Sequence, residues 1–475
     1  MSIRAGICLN TKEICRRVKL SAALVFFACL LGQLALAEST TQAVGDDPYA
    51  QLPKLDSDFQ TLLNDYLGQQ GRLKTPSFSN LEQLWLAVEQ TPNSIQGCSL
   101  IRENLALLID HFYEKSFPSI LDYLYKANDT AAIKKITDAI KTSSDPVAAS
   151  QNYFLLAQYY YGRNNWKGVI AALKQVNTKD LSIGDTHYFD LLMGFALQQL
   201  KEHRKAANFY KHIPASSPYF AHAKLNQGTA YLRQGWWSEA HLELDAAIDS
   251  LDTNEDQEFK DRLLVVLAYS QLNYEFYRDA RKSLRRVSID GKYTNKALMG
   301  LGLAAAYQED FTGAINAFSI LSKKAPADLS VDESLLLLSY ALVETGNKPK
   351  AEQSYQMAIN HYQTKIQVIN QELTRFNQTL STNLSERIAQ LNGRADEIYG
   401  NSNLIPTYFL NNYDAILLMQ KENNVRKFDK SIVELKRNYE IQLNKLVKTN
   451  LELRKTMLTS YLSQAKYGKA ILYDK

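Results

Sequence analysis

The chain has 475 residues, a formal net charge of +4, 45% hydrophobic residues and 22% charged ones. That apolar content is too high for a disordered polymer, and the length is enough to bury a large core. A near-neutral total leaves no footprint for nucleic-acid binding.

Residues 1–37 read as a signal peptide. Arg4, Arg16, Arg17 and Lys19 precede an apolar run from Ser21 to Ala37, which ends in Ala35-Leu36-Ala37, small residues where a signal peptidase cuts. The run is short for a membrane span. The expected mature chain begins at Glu38 and is periplasmic; an uncleaved inner-membrane anchor is the rival. Cleavage removes Cys8, Cys15 and Cys29, leaving Cys98 as the only cysteine and no internal disulfide framework. Cys98 is expected as a half-buried thiol, with an intermolecular disulfide as the alternative.

Residues 38–80 read as a tether and a first helix, with Phe59, Leu62, Leu63, Tyr66 and Leu67 at helical spacing. Residues 81–150 stay helical in their periodicity but are cut by Pro92, Pro118 and Pro146, which predicts an irregular helical cap.

From 151 to 360 the chain repeats. Six segments align on a small residue, Val169, Ala206, Ala240, Ala280, Ala314 and Ala351. Another small residue stands twelve positions earlier: Ala157, Gly194, Gly228, Ala268, Gly302 and Ser339. These earlier anchors are 37, 34, 40, 34 and 37 residues apart. Two antiparallel helices approach closely only where both present small side chains at the crossing. A large residue four after the second anchor (Leu173, Tyr210, Leu244, Leu284, Phe318, Tyr355) is expected to reach the next hairpin. A row three before it, Trp166, His203, Trp237, Tyr277 and Phe311, is expected to plug the turn. Stacked hairpins then share one continuous core. These segments resemble tetratricopeptide repeats, with Pro218 and Pro326 closing two of them, although no segment has the full pattern. The resemblance implies an all-α, TPR-like helical-hairpin solenoid.

Residues 361–400 carry a stripe through Ile366, Ile369, Leu373, Phe376, Leu380, Leu384, Ile388 and Leu391, expected as a coiled coil or as one side of a long helical hairpin. Gly400 and Pro406 break it. Residues 401–475 predict further helices, including a long one with Leu435, Tyr439, Leu443, Leu446, Leu453 and Met457 along one side. The end of that helix, with Ala465, Gly468 and Ala470 among large residues, suits a last repeat-like element. Pairing within the chain gives a monomer, and pairing between chains a coiled-coil dimer. Residues 421–475 carry a net +7 and residues 38–420 a net −7. The basic end suits anionic phospholipid or a polyanionic envelope polymer; the alternative is a solvated helix face.

No H-E-x-x-H, G-x-S-x-G or phosphate-binding glycine motif occurs, and no metal or cofactor is expected. The resemblance instead implies a ligand-lining row six before the first anchor, Gln151, Tyr188, His222, Arg262, Lys296 and Glu333. A second row lies one after the anchor: Gln158, Phe195, Thr229, Tyr269, Leu303 and Tyr340. Tyr188, Phe195, His222, Arg262, Tyr269, Lys296 and Tyr340 would suit an extended peptide with an acidic group or free carboxylate. The alternative for the aromatics is packing against the neighbouring hairpin. The expected function is a non-enzymatic interaction scaffold of a bacterial cell envelope. A coiled-coil spacer and an envelope enzyme with an undetected site are the alternatives.

Overall fold

A computed structural model describes residues 49–70, 78–112, 114–141, 146–251, 256–324, 328–378, 405–422 and 426–473. The leader (1–37), Pro326 and the stripe from Leu380 to Leu391 lie outside the described residues. All regular structure among the described residues is helical.

Six helices come first, a long α1 (Leu52–Gln70) and the shorter α2 (Leu81–Glu89), α3 (Ser94–Glu103), α4 (Leu105–Asp110), α5 (Phe117–Lys126) and α6 (Thr130–Lys141). Six hairpins follow. They are α7 (Pro146–Gly162) with α8 (Trp166–Leu173), α9 (Ile183–Gln199) with α10 (His203–Lys211), and α11 (Phe220–Leu232) with α12 (Trp237–Asp249). Then come α13 (Gln257–Asn273) with α14 (Tyr277–Arg285), α15 (Thr294–Tyr307) with α16 (Phe311–Leu321), and α17 (Leu329–Glu344) with α18 (Lys348–Gln378). The chain ends in α19 (Thr407–Glu422) and a helix of 42 residues, α20 (Asp429–Ala470).

The small anchors sit at the crossings. Val169, Ala206, Ala240, Ala280, Ala314 and Ala351 are fully buried. A Cβ placed on Gly302 would stand 2.3 Å from the Phe318 ring, and one on Gly194 would stand 2.5 Å from Tyr210. Tyr210, Leu244 and Phe318 close over the glycine of their own hairpin, whereas Leu284 reaches Gly300 of the next hairpin and Tyr355 reaches Gly468 of α20. Four of the five turn plugs bridge hairpins, Trp166 against Phe195, Trp237 against Tyr274, Tyr277 against Tyr307 and Phe311 against Tyr340.

All six turns are built alike. Seven residues after the first anchor the backbone is left-handed, at Asn164, Lys201, Gly235, Glu275, Glu309 and Gly346. The next N–H donates five residues back, as Trp236 to the Tyr231 carbonyl and Asp310 to Ala305. This 6→1 bond with a left-handed residue before its donor is a Schellman closure.

The cap and the C-terminal helices share one core, in which Phe59, Ile101, Ile120 and Ile136 join Tyr362, Phe409, Tyr439, Leu446 and Leu458. Helix α20 packs along α18 and touches α17, the pattern α15 makes with α14 and α13. It therefore stands where the first helix of a seventh hairpin would stand. Its other half packs on α1, so it links the last hairpin to the cap. A polar hub fastens that end. Asp56 accepts from Asn128 (2.8 Å) and Asn412 (2.9 Å), while Tyr439 donates to the Leu55 carbonyl (3.1 Å). Arg163, from the first hairpin turn, donates to Asn128. Asn128 begins an Asn-Asp-Thr glycosylation sequence, yet it is buried with φ +57° and cannot carry a glycan in this fold. Cys98 is also fully buried, not half-buried, and burial pushes its thiol well up, which leaves it unreactive toward a second chain.

Candidate interaction face

The row six before the first anchor lies near the N-terminal ends of the first helices, and residues three before it on the next hairpin complete a ladder. Tyr188 stacks on Tyr219, with centroids 5.1 Å apart, and meets Phe154 edge-on at 6.0 Å. His222 lies flat on Phe259 at 4.2 Å. Arg262 is exposed. Lys296 is half-buried, its ammonium 5.8 Å from the centre of the Tyr293 ring. Burial, and then the Arg262 charge, lower the His222 imidazole below its ordinary value, so it is neutral at pH 7 and stacks as an aromatic.

The second row is differently placed. Tyr269 is 5% exposed, and its hydroxyl donates to the Lys296 carbonyl at 2.9 Å, tying α13 to α15. Phe195 packs on Tyr161 and Trp166, and Tyr340 on Phe311. These three serve as packing between hairpins, the alternative the sequence left open. The surface row is thus Tyr188, His222, Arg262 and Lys296.

Its last member, Glu333, is covered by α20. The Tyr461 hydroxyl donates to it at 2.7 Å, and burial pushes the carboxyl up to about 7. Next to it Asp332, fully buried, accepts from His361 (2.6 Å), Lys365 (2.9 Å) and Arg454. Burial alone would raise Asp332, but the His361 hydrogen bond and the Arg454 and Lys365 charges hold it below the usual carboxylate range. Sequence reasoning missed this clamp because its partners are 29, 33 and 122 residues from Asp332. The described residues hold no group of three or more His, Cys, Asp and Glu placed to bind a metal ion. None of the described helices is long and apolar enough to cross a membrane.

The fold defines the class: an all-α, solenoid-like helical-repeat protein. No known family model matches the sequence, and no curated protein matches it. Among solved structures, the chain is similar to PilW, a type IV pilus biogenesis factor, at 16% identity and a TM-score of 0.35, over 46% of this chain and 96% of that one. It is also similar to the apo quorum sensor NprR of B. thuringiensis, at 10% identity and a TM-score of 0.34, over 70% and 99%. A Rap protein complexed with competence and sporulation factor matches at 12% identity and a TM-score of 0.28, over 75% and 99%. No residue is carried over from any of them.

Proposed function

We propose that this chain is a non-enzymatic scaffold of the bacterial envelope whose hairpins are of the tetratricopeptide type and whose first-helix face holds an extended peptide or partner protein. The supporting observation is that His222, Arg262 and Lys296 occupy one register position on three consecutive hairpins and stay outside the core. In the row one past the anchor, Phe195, Tyr269 and Tyr340 are consumed by packing. The ladder supplies flat aromatic surface at Tyr188, Tyr219, His222 and Phe259, and Arg262 and Lys296 supply positive charge beside it. That combination suits an acidic side chain or a free carboxylate on an extended segment.

The leader places the working protein in the periplasm, with Glu38 as the first mature residue. N-terminal sequencing of the exported chain tests this; recovery with residues 1–20 attached would instead mean an anchored protein. The scaffold reading is tested by cross-linking and co-purification from envelope extracts. A stoichiometric partner lost from an Arg262→Glu/Lys296→Glu variant is the expected result, and a partner retained by that variant rejects this face.

A further inference from the structure

The face of α20 turned away from the core carries a straight basic stripe. At 3.6 residues per turn, Lys430, Arg437, Lys448, Lys455 and Lys466 fall on one line with Lys445 beside it. The line spans about 54 Å at the helical rise of about 1.5 Å per residue. Lys430, Arg437, Lys448 and Lys466 are exposed, and Lys445 and Lys455 half-buried. The other cations of this helix have partners on other elements: Lys436 donates to Gln420 of α19, Arg454 pairs with Asp332 and Lys469 with Glu352. None of the six on the stripe has an ion pair with a described residue. Only two carboxylates, Glu434 and Glu452, share the stripe. Two aliphatic side chains stand within or beside it, Ile441 at 48% exposure and Val433 at 53%.

We propose that this outer face of α20 lies flat against an anionic phospholipid surface as a peripheral contact. The charges that fasten the helix to the protein are separate from those that face outward, so the stripe is free to meet negative headgroups without loosening the fold. Lysine and arginine stems extend along the surface while their heads reach the lipid phosphates. Ile441 and Val433 favour a bilayer over a linear polyanion, because half-exposed aliphatic groups gain from the headgroup and acyl boundary and nothing from a phosphate chain. The contact uses no residue of the hairpin face, and so stands or falls independently of peptide binding.

The test is co-sedimentation of the full chain with vesicles of equal phosphatidylglycerol and phosphatidylcholine, beside vesicles of phosphatidylcholine alone. Binding to the anionic vesicles only, falling steeply with salt, is expected. The Arg437→Glu/Lys445→Glu/Lys448→Glu variant should lose at least tenfold in partition with an unchanged circular dichroism spectrum and melting curve. Ile441→Ser should weaken partition several-fold with every charge kept, and Arg262→Glu/Lys296→Glu should bind as the parent does. Equal binding to both vesicle types, or a triple variant that partitions like the parent, overturns the proposal. So does an Ile441→Ser variant that partitions unchanged while inorganic polyphosphate displaces the vesicles, which marks a polymer site.

Discussion

Tyr355 on α18 closes over Gly468 of α20 as Leu284 on α14 closes over Gly300 of α15; a Cβ on Gly468 would stand 2.6 Å from the Tyr355 ring. The parallel makes α20 the seventh first-helix of the stack, reached after an excursion through α19. Gly468→Leu should therefore free the end of α20 from α18, read as faster amide exchange over 458–470. Gly302→Leu should cost about 1–3 kcal/mol or more by overpacking. Gly302→Ala should also destabilise, because Phe318 is fully buried and 2.3 Å leaves no room for a methyl group. Melting curves that match the parent for both Gly302 variants would mean that this crossing is not so close.

Four of the six hairpin turns hold a non-glycine residue in the left-handed region, where an L side chain costs roughly 1–2 kcal/mol. Glu275 and Glu309 are exposed. Glu309→Gly should relieve that strain, less the added flexibility of the unfolded chain, giving a net gain of about 1 kcal/mol or less in chemical denaturation. A loss of stability would contradict the turn geometry.

Burial of Tyr269 changes what its truncation reports. Tyr269→Ala should cost about 3–5 kcal/mol by opening a cavity between α13 and α15. Tyr269→Phe should cost about 1 kcal/mol for the hydrogen bond to the Lys296 carbonyl. An alanine variant as stable as the parent would return Tyr269 to the surface.

Glu333 makes stability depend on pH in a direction opposite to most carboxylates. Its folded carboxyl is raised from 4.5 to about 7, chiefly by burial. Between those values the folded chain keeps a proton that the unfolded chain has lost. The stability it contributes is full below 4.5 and is lost as pH rises through 7. Asp332, held low, works the other way, its contribution present above 3.8 and lost in acid. The melting temperature of Glu333→Gln should therefore gain on the parent from pH 5 to pH 8. A constant difference across that range would show that Glu333 ionises freely.

The hairpins were legible because a close helix crossing demands small residues at fixed separation, a demand that reaches the sequence as a period. The turns were not: only Gly235 and Gly346 carry the glycine that signals a left-handed residue, and Asn164, Lys201, Glu275 and Glu309 hold the same backbone without it. Whether a periodic aromatic faces solvent or the next hairpin was also hidden, since Tyr269 and Tyr188 share the helix period while their exposure depends on what the neighbouring repeat supplies. The cap's union with α20 had no local signal at all, because Leu55 and Tyr439 meet across 384 residues.

The same distinction sharpens what charge reversal can say about function. Arg262 is exposed, and Lys296, half-buried as a residue, holds its ammonium by the Tyr293 ring and is not one of the crossing anchors, so Arg262→Glu/Lys296→Glu leaves the hairpin crossings intact. Exposed charges seldom contribute much to stability, and the melting temperature of this variant should stay within a few degrees of the parent. Reversing Arg262 also removes the positive neighbour that helps lower His222, so the imidazole should titrate at higher pH in the variant, a shift visible by proton NMR. Affinity for an acidic extended peptide, measured by calorimetry, should fall at least tenfold, while Lys445→Glu/Lys448→Glu leaves it unchanged. If the tail variant loses the peptide and the hairpin variant keeps it, recognition belongs to α20, and the hairpins serve as the frame that presents that helix.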